Sequence, residues 1–365
     1  MNHYRVGIIG ATGMVGQRFI SLLKDHPWFE VTCVAASARS AGKTYREAVG
    51  ERWAFDWPIR ETVAGMTVVD AQNIEEVGKK VDFVFCAVDM KKDEIRALEE
   101  SYARHEIPVV SNNSACRGIE DVPMVVPEIN AEHLAVIETQ RKRLGSRYGF
   151  IAVKPNCSIQ SYVPALTPLL DFEPEQVSVC TYQAISGAGK TFKTWPEMVD
   201  NVIPYIGGED EKSEQEPLKL WGRLEDRGNG TVIVNAQAPV ISAQCLRVAC
   251  SDGHMAAVSV RFGKKVTKEE ILDRWNHYET EAQRLELPSA PKPFLQYFDD
   301  PARPQTRLDR DFQNGFGVSI GRLREDRIFD WRFVCLSHNT IRGAAGGGIL
   351  TAELLCRKGY ILAKG

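Results

Sequence analysis

The sequence predicts an α/β protein with two domains, the first built on a parallel sheet and the second, of α+β class, on a largely antiparallel sheet. Three observations lead to this prediction. A strand, a glycine-rich turn and a helix open the chain, strand and helix patterns then alternate to about residue 155, and period-2 strand patterns dominate from residue 177 onward. We therefore expect one domain at 1–155 and a second at 156–337.

Composition limits the classes of function that the chain can have. Its 365 residues are enough for two cores, with 44% hydrophobic and 25% charged residues. The formal net charge of −3 gives no overall attraction to nucleic acid or to an anionic membrane. The nine cysteines form neither a CxxC pair nor a Cys/His cluster, so we expect no metal site. With no signal-peptide or membrane-span pattern, we expect a reducing, cytoplasmic location.

The first element is a strand at Val6-Gly-Ile-Ile9, followed at once by Gly10-Ala-Thr-Gly13-Met-Val-Gly16 and an amphipathic helix. Glycines in such a turn let the backbone approach a pyrophosphate, whose charge lies at the helix N-terminus. The spacing GxxGxxG in this setting predicts a Rossmann-type dinucleotide-binding domain, with Gly10 and Gly13 at the cofactor.

The second strand, Val31 to Ala36, indicates which dinucleotide is bound. It ends in Ser37-Ala-Arg39-Ser40, where an NAD-binding protein usually has an acidic residue for the ribose 2′-hydroxyl. An arginine flanked by hydroxyls suits a 2′-phosphate, so we predict NADP over NAD. The alternative is that Arg39 is a solvated loop residue.

Further β–α–β units follow the second strand. A buried strand at Val81 to Val88, a helix and a strand at Ile107 to Val110 lead to Ser111-Asn112-Asn113-Ser114, at the edge of the sheet where ligands bind. Arg117, just beyond this segment, is either a hydrogen-bond donor to a bound anion or an exposed charged residue of the loop. Residues 41–80 show only an aromatic-rich packed loop, and a helix near 131–144 ends at Gly145.

Cys157 stands between an apolar strand at 150–153 and a helix-like pattern at 159–170. A cysteine at a helix N-terminus has a stabilised thiolate, and a thiolate so placed is a nucleophile for a carbonyl carbon. The alternative is that Cys157 is one of several cysteines that fill space in a core.

The second domain is predicted from alternating strands at Val177 to Ile185, Val240 to Cys250, Met255 to Phe262, Phe316 to Leu323 and Ile328 to Leu336. A capping box at Thr267-Lys-Glu-Glu270 opens a helix through about Leu285. The proline-rich run Leu287 to Pro304 is expected to be a crossing loop, and 338–356 is glycine-rich and then helical.

Several side chains of this domain are candidates to meet Cys157. Gln183 ends a strand as an amide donor, with Ser186 and Gly187 following beside a cofactor. Arg247 and His254 bracket a tight turn and together suit carboxylate binding and proton transfer.

Two more features of this domain are weaker candidates. Glu216 and Lys219 lie on one helical face at i, i+3, although most such pairs are surface ion pairs. Asn339 opens a glycine-rich run that is loose enough for close backbone approach.

Together these motifs resemble those of the aspartate-semialdehyde dehydrogenases, nearest to the archaeal and fungal branch. The resemblance runs nearly end to end and rests on the glycine turn, Pro155-Asn156-Cys157-Ser158, Gln183-Ala-Ile-Ser-Gly-Ala-Gly, Arg247 with His254, Asn201-Val-Ile-Pro204-Tyr-Ile-Gly-Gly and His-Asn339-Thr-Ile-Arg-Gly-Ala-Ala-Gly-Gly. It implies reversible, NADP-dependent reduction of L-aspartyl-4-phosphate to L-aspartate 4-semialdehyde, for diaminopimelate, lysine, threonine and methionine biosynthesis.

The resemblance also implies roles for individual residues. Cys157 is the acyl-thioester nucleophile, His254 the general acid/base, and Gln183 orients the substrate. The implied substrate-binding set is Arg117, Asn156, Gln183, Glu216, Lys219 and Arg247. Within it, Arg247 holds the α-carboxylate, Glu216 meets the amino group, and Arg117 and Lys219 bind phosphate. The implied cofactor-binding set is Gly10, Thr12, Gly13, Met14, Val15, Ser37, Arg39, Ser40, Ser186, Gly187 and Asn339.

The resemblance implies, in addition, a homodimer or homotetramer built through the second domain, and a C-terminal helix within 338–365 that completes the first. Two alternatives stay open at this stage. Malonyl-CoA reductases share the fold and the C-terminal run, although Pro155 to Ser158 and Glu216 fit the semialdehyde enzyme better. The other is a non-catalytic NADP-binding sensor.

Overall fold

The computed structural model describes residues 3–364, in which the first domain is built on a six-stranded parallel sheet. Its strands are β1 (Tyr4–Ile9), β2 (Phe29–Ala36), β3 (Val69–Asp70), β4 (Phe83–Cys86), β5 (Val109–Ser111) and β6 (Ile151–Val153). They pair in the order β3-β2-β1-β4-β5-β6, and each neighbouring pair is parallel. The order reverses between β1 and β4, so the glycine turn after β1 lies at the topological switch point, where such sheets bind ligands.

Helices connect these strands, and their boundaries follow local signals. They are α1 (Met14–Leu22), α2 (Tyr45–Val49), α3 (Glu61–Ala64), α4 (Ile74–Lys80), α5 (Lys92–Arg104) and α6 (Ile137–Leu144). Helix α5 buries Ile95, Leu98 and Tyr102 at the spacing of one helical face. As predicted, α6 ends at Gly145, which has a left-handed φ of 70°.

Residues 41–80 are more regular than the sequence indicated, since they contain α2, α3, β3 and α4. The expected aromatic loop lies between α2 and α3. Phe55 stacks on Trp57 and meets Trp53 edge to face, while the Arg18 guanidinium lies 4.3 Å from the Phe55 ring centre. Trp57 is nevertheless 47% exposed, so the loop is packed on one side only.

The second sheet has seven strands and is mixed, as expected for a largely antiparallel domain. Its strands are β7 (Pro174–Gln183), β8 (Val202–Ile203), β11 (Val240–Val248), β12 (His254–Phe262), β13 (Leu295–Phe298), β14 (Val318–Glu325) and β15 (Trp331–Ser337). Among the described residues they pair in the order β13-β14-β15-β12-β7-β11-β8, with only β7–β11 and β13–β14 parallel. A separate ribbon joins β9 (Arg223–Asp226) and β10 (Thr231–Val234).

The helices of the second domain are α7 (Val163–Leu166), α8 (Glu209–Leu220), α9 (Lys268–Asn276), α10 (Glu281–Arg284) and α11 (Thr306–Asp309). Two sequence predictions were wrong here. The helix opened by the Thr267 capping box ends at Asn276, because Thr280 forms a second capping box and starts α10. The proline-rich run 287–304 is not only a crossing loop, since it contains β13, which pairs with β14.

The prediction of one continuous helix after Cys157 was also wrong. The chain makes a 3₁₀ turn at Ser158–Gln160, the short α7 and a second 3₁₀ segment at Thr167–Phe172. Pro164 lies at the start of α7 and Pro168 at the start of the second 3₁₀ segment, where a missing N–H is tolerated. Each proline prevents a continuous helix through the turn that precedes it.

The C-terminal segment packs onto the first domain. A π-helical turn, Ile341–Ala345, leads into α12 (Gly346–Arg357), which is buried along most of its length. Its apolar side chains share a core with Phe19 and Phe85, and Glu353 Oε1 lies 2.9 Å from His26 Nε2. None of the helices within residues 3–364 is long and apolar enough to cross a membrane.

Candidate active site

The structure brings Cys157 and His254 together where the two sheets meet. Cys157 follows β6 of the first sheet, and His254 is the first residue of β12 in the second. Their Sγ and Nε2 atoms are 3.5 Å apart. A thiol this close to an imidazole is the arrangement of a nucleophile with its acid/base partner.

Strand register places two more predicted residues at the same end of the second sheet. Gln183 is the last residue of β7, and its partner in the parallel ladder with β11 is Arg247. On the other side of β7, Tyr182 pairs with Met255, next to His254. Gln183 therefore meets Arg247 and His254, which lie more than 60 positions later, because their strand ends are neighbours, and all three residues are buried.

The orientation and charge of His254 follow from its contacts. The Ala184 N–H donates to Nδ1 at 3.1 Å, so the neutral ring carries its proton on Nε2, facing the sulfur. Burial, and then the positive charge of Arg247, holds the pKa of His254 well below 6.5. The ring is therefore neutral at physiological pH.

The expectation that a helix N-terminus favours the Cys157 thiolate is wrong. The turn after Cys157 is only three residues long, which gives little helix dipole. Burial, and then the negative charge of Glu209, raises the pKa of the thiol above 9.0, although Lys154, Arg117 and Arg247 oppose this. Burial also lowers the pKa of Lys154 to about 7, so the help of its positive charge fades as the pH rises through that value.

The glycine-rich C-terminal run reaches the nucleophile, as its composition indicated. A side-chain carbon on Gly343 would lie 2.8 Å from Cys157 Cβ. Any larger residue at this position would displace the nucleophile. The approach is held by the Arg342–Glu128 ion pair, which is buried and bidentate and joins this turn to the first domain.

Helix α8 contributes a carboxylate that the sequence reasoning missed. Glu209, in the first turn, accepts hydrogen bonds from Asn156 Nδ2 at 2.9 Å and Gln183 Nε2 at 3.3 Å. Lys212 Nζ lies 2.8 Å from the same carboxylate, and its side chain is 30% exposed. The signal was present in the sequence, because Glu209 and Lys212 have the i, i+3 spacing of Glu216 and Lys219, seven residues earlier.

The predicted pair on α8, Glu216 and Lys219, makes protein contacts instead. Glu216 accepts from Arg117 Nη1 at 2.8 Å and from the Asn156 N–H at 2.5 Å. Lys219 Nζ donates to the carbonyl oxygens of Arg117, Ile119 and Val122 at 2.6, 2.6 and 2.9 Å. An ammonium has three N–H groups, so these three bonds leave none for a ligand.

The glycine turn lines a cavity of about 740 Å³ that fits a dinucleotide. Gly10 has a φ of +86°, and a side-chain carbon there would lie 2.3 Å from the Ala87 carbonyl oxygen, so only glycine fits. The predicted cofactor residues in its lining are Gly10, Thr12, Gly13, Ser37, Arg39 and Ser40. Lys43 and Arg52, which the sequence reasoning did not single out, add positive charge to the same lining.

The remaining predicted cofactor residues lie elsewhere. Met14 and Ser186 line an adjacent cavity of about 420 Å³ between the domains. Val15 packs against the apolar core. Asn339 accepts from the Gly253 N–H and donates to Ser186 Oγ, both at 2.8 Å, so it holds the loop on which Ser186 and the exposed Gly187 stand.

No group of three or more His, Cys, Asp or Glu side chains within residues 3–364 is arranged to hold a metal ion.

Fold and site together define the class as a dinucleotide-binding oxidoreductase with a cysteine at the junction of its domains. Models of two domain families match this chain: the semialdehyde dehydrogenase NAD binding domain at 5–137 and the semialdehyde dehydrogenase dimerisation domain at 166–342.

The chain is 42% identical to aspartate-semialdehyde dehydrogenase from Aspergillus fumigatus, over 98% of each chain. It is also 42% identical to the Archaeoglobus fulgidus enzyme of that name, over 98% of this chain and 99% of that one. A crystal structure of the Candida albicans enzyme with NADP superimposes with a TM-score of 0.88 at 40% identity, covering 99% of this chain and 100% of the other. The chain belongs to the aspartate-semialdehyde dehydrogenase family, and the resemblance to its fungal and archaeal members is confirmed.

Proposed function

We propose that this protein reduces L-aspartyl-4-phosphate to L-aspartate 4-semialdehyde with NADPH and release of phosphate, reversibly, through a thioester on Cys157. The observation that carries the proposal is the 3.5 Å contact between Cys157 Sγ and His254 Nε2, beside Gln183 and Arg247. The names of the fungal and archaeal relatives support the same reaction.

The residues at the switch point fit a dinucleotide, and we propose that it is NADP. When bound, NADP⁺ accepts a hydride from the substrate carbon. Arg39 and Lys43 line the cavity beside the end of β2, where a ribose 2′-phosphate would need positive charge. Arg39→Ala should lower the preference for NADP over NAD, measured as the ratio of the two KM values. An unchanged ratio would exclude Arg39 as the discriminating residue.

We propose that, in the oxidising direction, the Cys157 thiol releases its proton to solvent and the resulting thiolate attacks the aldehyde carbon, whose C=O double bond becomes a C–O⁻ single bond. The oxygen of the resulting thiohemiacetal forms beside His254, whose Nε2 proton can stabilise it. Loss of hydride leaves a thioester, which phosphate attacks to give the acyl phosphate and free Cys157. The Nε2–H of the neutral His254 ring is a proton donor to the thiohemiacetal oxygen, and we propose that His254 is the general acid/base through this proton.

Four groups around the nucleophile are proposed to hold the substrate. Arg247 binds the α-carboxylate, since its fork of N–H groups suits a carboxylate, and Asn156 and Gln183 orient the chain. Glu209 contacts both amides, so we assign it, rather than Glu216, to the substrate amino group.

We propose Arg117 and Lys212 for the phosphate. Both line a cavity of about 470 Å³ next to the site. Arg117 Nε donates to no described group, and Lys212 is the half-exposed member of its pair. Lys219, the residue first expected here, has its N–H groups on backbone carbonyls.

The deciding experiment is phosphate-dependent reduction of NADP⁺ with L-aspartate semialdehyde, run beside a malonyl-CoA assay with NADPH. Turnover of the semialdehyde that is lost without phosphate is the expected result. Turnover of malonyl-CoA alone would support the reductase alternative and remove the roles of Glu209 and Lys212. Failure of both reactions, with NADPH still bound, would support the sensor alternative.

Cys157→Ala gives an independent test of the nucleophile. It should abolish turnover while NADP binding, followed by NADPH fluorescence, stays at the wild-type level. Substantial remaining activity would refute the assignment of Cys157.

We further propose a homodimer or homotetramer assembled through the second domain, in line with the dimerisation-domain match. Near one edge of its sheet, apolar side chains are exposed in β8, just after β8 and at the start of β11: Val202, Tyr205 and Val240 are 54%, 70% and 69% exposed in the single chain. Light scattering should give twice or four times the mass of the chain, and Tyr205→Asp with Val240→Asp should lower it. A monomeric wild type would contradict this.

We also propose that the domains divide at residue 155 and that 338–365 belongs with the first. The two sheets lie on either side of this boundary, and α12 shares a core with α1. The nine free cysteines support a reducing, cytoplasmic location. Limited proteolysis near 155–157 and cell fractionation would test these two assignments.

A further inference from the structure

A buried carboxyl group lies beneath the loop that carries Arg117, outside the residues assigned so far. Glu99 is on the inward face of α5 and is fully buried. Its Oε1 accepts hydrogen bonds from Ser111 Oγ and from Asn113 Nδ2, the latter at 3.0 Å. Within residues 3–364 it forms no ion pair. Burial raises the pKa of this carboxyl, so its neutral form is favoured.

Packing alone does not explain a glutamate at this position. The inward face of α5 is already formed by Ile95, Leu98 and Tyr102. An apolar side chain of similar size would complete that face without the desolvation of a carboxyl group, which costs stability. Glu99 is thus distinguished from its apolar neighbours on α5 by the polar groups that it meets, the side chains of Ser111 and Asn113 and the thiols of Cys86 and Cys116.

Two of these groups flank the residue that holds the Arg117 guanidinium. Ser111 and Asn113 stand on either side of Asn112, and the Asn113 N–H also donates to Ser111 Oγ at 3.0 Å. The Asn112 carbonyl oxygen accepts from Arg117 Nη2 at 3.0 Å, while Arg117 Nη1 is fixed by Glu216. The segment 111–113 therefore determines the position of Nη2, one of the two terminal nitrogens of the Arg117 guanidinium.

We propose that Glu99 is a positioning residue for the anion-binding end of the active site. It fixes segment 111–113 and, through the Asn112 carbonyl, the guanidinium of Arg117. The inference rests on the proposed function, because that function assigns phosphate to Arg117. It adds a residue that is separated from the ligand by segment 111–113 and by Arg117.

The test compares Glu99→Leu, which removes the acceptor, with Glu99→Gln, which keeps a carbonyl oxygen in its place. Tyr102→Phe is the matched control, because it removes a different buried hydrogen bond from the same helix, that of Tyr102 Oη to the Ala71 carbonyl. We expect Glu99→Leu to raise the KM for phosphate about tenfold with little change in the KM for NADP⁺. Glu99→Gln and Tyr102→Phe should keep the wild-type KM for phosphate.

A purely structural role predicts a different result, in which Glu99→Leu and Tyr102→Phe lower the melting temperature and leave both KM values unchanged. That result would overturn the inference, as would an equal loss in Glu99→Gln. If Glu99→Leu does not fold, Ser111→Ala removes one of the two contacts with segment 111–113 and is judged by the same criteria.

A binding measurement separates this inference from the proposed function. Inorganic phosphate is titrated against wild type and variants by intrinsic fluorescence, without turnover. If the wild type binds phosphate but has no semialdehyde activity, the proposed function fails. The role of Glu99 is still supported if the phosphate concentration at the titration midpoint is higher for Glu99→Leu and unchanged for the other variants. The inference about Glu99 is overturned if the midpoint of Glu99→Leu equals that of the wild type, or if the wild type does not bind phosphate.

Discussion

Helix α8 carries two acid–base pairs with the same spacing, and their partners differ. Glu209 and Lys212 lie in its first turn, Glu216 and Lys219 near its end. A separation of seven positions brings the two acids back to nearly the same face, about 10 Å apart along the axis. Glu209 meets the amides of Asn156 and Gln183, whereas Glu216 is held by Arg117.

The lysines show the difference most directly. The Lys212 side chain is 30% exposed and has one protein partner, while Lys219 is buried and donates to three backbone carbonyls. The same residue type thus stays partly exposed at one end of the helix and holds a loop at the other. What decides between them is the segment that packs against each turn, here 117–122 at the C-terminal end.

Replacing the lysines by methionine should give the largest contrast. Lys219→Met removes a donor from three carbonyl oxygens, of which, among the described residues, only that of Ile119 keeps another, the Val122 N–H. It should lower the free energy of unfolding by about 3 kcal/mol, measured by urea denaturation. Lys212→Met should leave stability within about 0.5 kcal/mol and raise the KM for phosphate about tenfold or more. A raised KM in Lys219→Met with unchanged stability would restore the role first expected for it.

Neutralising the acids should separate stability from substrate recognition. Glu216→Gln removes the charge opposite buried Arg117 and should cost about 2 kcal/mol of unfolding free energy. Glu209→Gln should instead lower kcat/KM for L-aspartate semialdehyde about tenfold. Succinate semialdehyde, which lacks the amino group, is the control substrate. An equal loss with both aldehydes would mean that Glu209 does not recognise the amino group.

The two acids should also differ in their effect on the Cys157 thiol. The negative charge of Glu209 contributes to the raised pKa of Cys157, so Glu209→Gln should lower that pKa. The rate of Cys157 alkylation by iodoacetamide, plotted against pH, should then shift to lower pH. Glu216→Gln should leave the curve in place. A shift to higher pH in Glu209→Gln would contradict the electrostatic explanation.

Replacing each lysine by arginine is the mildest test. Lys212→Arg keeps a cation at a half-exposed position and should change the KM for phosphate by no more than about threefold. Lys219→Arg forces a larger planar group into a site built for three converging carbonyls and should cost about 1 kcal/mol of stability. Equal tolerance at both positions would contradict the tight packing that the three short hydrogen bonds of Lys219 indicate.

Much of the first domain could be predicted because its signals are local. The strand, glycine turn and helix at 4–22 follow from periodicity and from turn chemistry, and Gly10 is required by its own backbone conformation. The convergence of Gln183, Arg247 and His254 was also predictable, since each stands at a strand end next to a turn. The resemblance to the family then implied a role for each of these three residues, which periodicity could not do.

The acidity of Cys157 and the choice between the α8 pairs could not be predicted in this way. The pattern at 159–170 indicated a helix and hence a stabilised thiolate, but Pro164 and Pro168 divide the segment and burial raises the pKa of the thiol. For α8, sequence spacing identifies a shared face and gives no information on which turn will be covered by protein.

By itself, the sequence determined the fold class and the position of the cofactor turn, and it predicted that Cys157 and His254 meet. These depend on backbone preferences and on the alternation of apolar residues, which act over a few neighbouring positions. Only the tertiary structure decided that Glu209 faces the site, that Lys219 holds a loop and that Glu99 lies behind Arg117. Burial and hydrogen-bond partners set those roles, and both come from segments that are distant in sequence and meet only when the chain is folded.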